Sequence, residues 1–133
     1  MKLEFPHRLS ATGMIGLAAL SATRWLRENA AAPGPVLSFV LGVMPNLAAA
    51  FAMPLVLASL SPLTSRTPVT KTSRLRYSWV LVFTTLGLCG WEVIQARSDR
   101  FVFDVYDMLA TVLGSTLAYV AFSWHARSFE VNE

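Results

Sequence analysis

The sequence predicts an all-α, four-helix transmembrane bundle with both termini in the cytoplasm, and three observations carry that prediction. Of the 133 residues, 54% are hydrophobic and only 14% charged, against about a quarter charged in ordinary soluble domains, and mean hydropathy is +0.50. Four stretches, 9–23, 29–65, 77–91 and 108–124, contain no Asp, Glu, Lys, Arg or His. A spanning helix takes roughly 17–25 residues to cross a hydrocarbon core of about 30 Å, so four crossings with short loops use nearly all of the chain. This composition excludes a disordered polypeptide and leaves too little charged surface for a water-soluble globule. The chain, 1–133, therefore reads as a single integral membrane domain whose chemistry sits among the helices or in their loops.

Helix 1 is expected over 9–25, after a polar lead carrying Lys2, Glu4, His7 and Arg8, with Pro6 suited to a turn rather than a helix interior. Gly13, Gly16, Ala18 and Ala19 make this helix slim and favour close packing. A cleaved signal peptide is the competing reading of the same segment, although the Ala-x-Ala pattern is missing at the end of its apolar core. Arg24, Arg27 and Glu28 follow, and the prolines at 33 and 35 mark a loop or interfacial turn.

The uncharged stretch 29–65 is longer than one crossing requires and is interrupted by Pro45-Asn46 and Pro54. Either its first third lies near the membrane surface or the helix is long, tilted and kinked; the first is favoured, with helix 2 crossing over 44–61. The connection 61–76 holds Arg66, Lys71, Arg74 and Arg76 and no acid, which makes it cytoplasmic by the positive-inside rule. Helix 3 is expected over 77–95 and helix 4 over 103–124. Seven bases (Lys2, Arg8, the four of the connection, and Arg127) then lie inside, and four (Arg24, Arg27, Arg97 and Arg100) outside. Trp25, Trp79, Trp91 and Trp124 fall near helix ends, where interfacial aromatics belong.

Several chemistries find no footing. Cys89 is the only cysteine and lies in an apolar run, so it reads as packing. His7 and His125 fall in the two tails without the neighbours that a zinc site needs. No Gly-x-Ser-x-Gly turn or glycine-rich phosphate loop occurs. The net charge of +3 is explained by topology, which removes the case for nucleic acid. Asn46 beside Pro45 reads first as part of a helix kink and second as a donor to a polar pocket.

That pocket is the unusual feature. Glu92, Gln95, Asp104 and Asp107 lie on two hydrophobic helices, with Arg97 and Arg100 between them. At about 100° per residue, Asp104, Asp107, Thr111, Gly114 and Ala118 share one stripe of helix 4, bordered by Ser115. Thr85, Leu88, Glu92 and Gln95 share a face of helix 3. If the faces meet, the acids surround one point, within reach of Arg97 or Arg100. Asp104 and Asp107 gain from the helix dipole, by about 0.3–1 kcal/mol. Glu92 lies at the opposite pole of its helix, gains nothing from it, and needs a partner.

The stretch Glu92-x-x-Gln95-x4-Arg100-x3-Asp104-x2-Asp107-x3-Thr111-x2-Gly114 resembles the signature of the VanZ-like family. These are small bacterial membrane proteins named after a protein linked to resistance to the glycopeptide teicoplanin. The resemblance covers 91–119 and departs at Thr111, where the family usually has Asn, and at Ala118, where a second Gly is common. It implies a helical bundle of the bacterial inner membrane and a cell-envelope role touching antibiotic resistance, with no established reaction. Three readings follow. Glu92, Gln95, Arg100, Asp104, Asp107 and Thr111 form an outward-facing pocket for an envelope lipid, a cell-wall precursor or a glycopeptide, with Gly114 and Ala118 packing the helices. Alternatively, Glu92 or Asp107 serves as acid/base, or as ligand to a divalent cation, in a membrane-embedded enzyme. In the third, the chain is a structural subunit beside other membrane proteins and the acids merely satisfy helix contacts. No other cofactor is expected.

Overall fold

The computed structural model describes residues 4–31, 34–61, 69–95, 97 and 104–130, apart from the side chains of Gln95 and Glu130. The described residues form four helices: α1 (Phe5–Asn29), α2 (Pro35–Leu60), α3 (Lys71–Gln95) and α4 (Val105–Glu130). No strand occurs among the described residues. Helices α2, α3 and α4 are each long and apolar enough to cross a membrane. α1, at 25 residues, matches them in length but is not among them, because Ser, Thr and Gly dilute its apolar run.

The helices outrun the charge-free stretches. The favoured reading, helix 2 over 44–61 with the first third of 29–65 at the membrane surface, is corrected: α2 runs unbroken from Pro35 to Leu60 with both prolines inside it, as the long-helix alternative has it. Proline at the first helical position costs nothing, since that N–H has no partner within the helix in any case. Pro6 likewise sits in the first turn of α1 rather than in a lead before it. At α3 the helix begins at Lys71 instead of 77, because Lys and Arg are good helix formers whose long stems reach back to the interface. α4 continues to Glu130, past the expected 124, and so carries His125 as well. Within α2, Pro45 and Pro54 stay inside the helix. Their missing N–H groups withdraw the bonds that would end on the carbonyls of Leu41 and Ala50.

Successive helices run antiparallel. Gly16 of α1 faces Phe51 and Ala52 of α2, a Cβ there falling 2.8 Å from the Phe51 ring, so only glycine admits this approach. Gly114 of α4 meets the Leu47 carbonyl and the Ala50 methyl group of α2 so closely that a Cβ would overlap them. α2 is thus the centre of the bundle, packed most extensively against α1 and α4. α3 lies at the periphery: 11% of its span is buried, against 33% for α2 and for α4. Between helices in lipid there is no hydrophobic driving force, so small residues at the contacts, which allow close packing, hold this core.

The apolar core gathers at one end of the bundle. Phe5, Leu9, Leu55, Ala58, Tyr77, Ala118, Phe122 and Ala126 form it. Tyr77 stacks on Phe122 with ring centres 3.8 Å apart, and Phe5 meets Phe122 and Phe129 edge to face. Just beyond it, Thr12 of α1 and His125 of α4 are joined by a 2.9 Å hydrogen bond. Trp79 and Trp124 face outward at this end, as do Trp25 and Trp91 at the other.

Candidate functional site

The polar site occupies the opposite end, where α3 finishes and α4 starts. Asp104 immediately precedes α4, and its Oδ1 accepts a 2.8 Å hydrogen bond from the Tyr106 backbone N–H, filling the role of a helix cap. Asp107 lies in the first turn, where the exposed N–H groups favour a negative charge. One turn on, the Thr111 hydroxyl donates to the Asp107 carbonyl at 3.0 Å. Thr111, Gly114, Ser115 and Ala118 are all buried, so the whole stripe turns inward.

Glu92 is buried, at 7% exposure, while its neighbours Trp91, Val93 and Ile94 face outward. Its partner comes from the central helix: Asn46 Nδ2 donates to Glu92 Oε1 at 3.2 Å. The same carboxamide lies against Asp107, and Asp104 and Asp107 stand within electrostatic reach of Glu92. Deeper in, Thr85 of α3 and Ser115 of α4 share a 2.7 Å hydrogen bond, which fixes the rotation of α3 against α4. From α1, Arg27 lies within electrostatic reach of Asp107.

The structure therefore brings Glu92, Asp104 and Asp107 together, with Thr111 directly behind them. Arg100 and the Gln95 side chain lie outside the described residues. The stripe of α4 faces α2 as well as α3, because Gly114 abuts Leu47 and Ala50. Two further residues belong to the site: Asn46, which the sequence offers first as part of a kink and second as a donor to the pocket, and Arg27, which the sequence does not assign. Asn46 is a ligand of Glu92 and not merely part of a proline kink; the signal was a carboxamide in the middle of a 26-residue apolar helix, where such groups hydrogen-bond between helices. Arg27 had no signal of its own, since only the packing of α1 brings it to Asp107.

Chemically the cluster is rich in acceptors. Three carboxylates offer about four lone-pair positions each, and one carboxamide supplies two N–H groups. Among the described residues no Lys or Arg forms an ion pair with any of the three, and no three His, Cys, Asp or Glu are grouped as a metal site.

An all-helical bundle with three apolar spans and a buried polar site at one end is a multi-pass membrane protein. Comparison of the chain with protein-family models, with curated proteins and with solved structures finds no match.

Proposed function

We propose that this is a VanZ-like protein of the bacterial inner membrane whose acidic end faces outward and binds a cationic, amine-bearing group of an envelope lipid, a cell-wall precursor or a glycopeptide. The observation that carries this reading is Glu92, buried at the end of α3 with Asn46 as its hydrogen-bond donor and with Asp107 facing the same carboxamide. Lone pairs remain on both carboxylates, and an ammonium group brings three N–H donors together with the missing charge. The carboxamide absent at Thr111 is supplied within the site by Asn46. The orientation rests on the bases. Among the described residues Arg8, Lys71, Arg74, Arg76 and Arg127 lie at the aromatic end, and Arg24, Arg27 and Arg97 at the acidic end, a bias that by the positive-inside rule supports an outward-facing acidic end.

The test is binding to the purified protein in phosphatidylcholine nanodiscs, titrated with teicoplanin and with a phosphatidylethanolamine. Glu92→Gln and Asp107→Asn are expected to weaken binding of at least one of them about tenfold each, the value of a lost charge-assisted hydrogen bond, with yield and helix content unchanged. Loss of folded protein in both variants would favour the structural role for the acids. Turnover of labelled envelope lipid by the wild-type protein, abolished in both, would replace binding by catalysis.

A further inference from the structure

The aromatic end carries a second polar feature, on the outer face of the bundle and away from the acidic site. A groove of about 780 Å³ lies between the first turns of α3 and the last turns of α4. Arg74 and Arg127 line it together with Ser123, and among the described lining residues there is no carboxylate. Trp124, Tyr119 and Val120 continue it toward the middle of the bundle; all three are largely exposed. From Arg127 back to Tyr119 the helix rises about 12 Å. The groove therefore has a cationic mouth at the helix ends and an apolar, aromatic stem running into the hydrocarbon depth.

We propose that this groove holds an anionic phospholipid, with Arg74, Arg127 and Ser123 on its phosphate and one acyl chain along Tyr119 and Val120. Guanidinium groups match phosphate oxygens in fork geometry, and basic recesses between helix ends are suited to anionic head groups. The shape selects a lipid over a free anion: the stem is apolar and open to the bilayer, and a soluble phosphate would leave it uncovered. Trp124, at 72% exposure, sits beside the arginines at the depth where indole rings prefer the head-group boundary. A seated lipid also covers part of the exposed surface of α3, the helix with the least protein around it.

The full chain, in detergent micelles doped with equal phosphatidylglycerol and phosphatidylcholine, is examined by native mass spectrometry for the lipid it retains. The wild type is expected to prefer phosphatidylglycerol. Arg74→Gln and Arg127→Gln should each lower that preference about fivefold, and the pair about thirtyfold. Arg24→Gln, at the far end of the bundle, should leave it unchanged and controls for net charge. Arg127→Lys keeps the charge, and is expected to fold as the wild type and retain part of the preference. Equal retention of the two lipids by the wild type overturns the proposal. So does a preference that survives in the double variant, or one that millimolar inorganic phosphate abolishes. None of these results depends on the acidic site.

Discussion

Where Phe5, Tyr77, Phe122 and Phe129 meet, rings stack and cross at close range and the interior is closed. Where Glu92, Asn46, Asp104 and Asp107 meet, the same four helices enclose carboxylates served by a single carboxamide and a more distant guanidinium. The first is sealed by the almost wholly buried rings of Phe5, Tyr77 and Phe122, whereas at the second only Glu92 is buried and Asn46, Asp104 and Asp107 stay partly exposed. The contrast divides the molecule into an end that stores stability and an end that withholds it, an arrangement common where a buried site must accept something from outside.

The comparison breaks most readily at Phe122. Removing this ring, 1% exposed and touching both Phe5 and Tyr77, leaves a cavity in the closed end. Phe122→Ala is expected to cost about 3 kcal/mol, read from reversible unfolding in mixed micelles, without altering ligand binding at the acidic end. A smaller cost than that of any acidic-end substitution would show that stability is not stored there. Next is Gly114→Val, which forces a side chain into the Leu47 carbonyl and Ala50. It should destabilise by about 2 kcal/mol and, because α2 carries Asn46, also weaken binding at the acidic end. Gly114 thereby tests whether the two ends communicate through α2. The smallest effect has the opposite sign. The Tyr77 hydroxyl is buried without a hydrogen-bond partner among the described residues, so Tyr77→Phe should raise stability by about 1 kcal/mol in the same unfolding assay. A loss instead would mean that the closed end is less complete than its packing indicates.

Much of this division was legible in the sequence. The 100° periodicity put Asp107, Thr111, Gly114 and Ala118 on one stripe, and in the structure the last three are buried against neighbouring helices. The same periodicity put Thr85 and Glu92 on one face, and they reach Ser115 and Asn46. Periodicity says which residues of one helix share a side. It does not say which helix they will meet, so Asn46 ranks as a kink residue ahead of a pocket donor and Arg27 escapes assignment. Helix 2 was begun too late for a related reason: hydropathy reports where a chain enters lipid, while helices end where capping and proline chemistry end them, at Gly34-Pro35. His125 was read as a tail residue because the stretch of uncharged residues stops at 124, yet α4 carries it on to meet Thr12.

The peripheral position of α3 gives the contacts at its two ends unequal mechanical roles, with the Thr85–Ser115 bond midway between them. The Tyr77 ring is clamped on Phe122, while fifteen residues further along Glu92 hangs from one 3.2 Å bond to the most embedded helix. That separation is a lever arm of about 22 Å. A lean of about 5° pivoting on the clamped ring carries the carboxylate about 2 Å, which is enough to part it from its amide. A tilt of this single rod would therefore widen the acidic cleft, stretching the Thr85–Ser115 bond on the way.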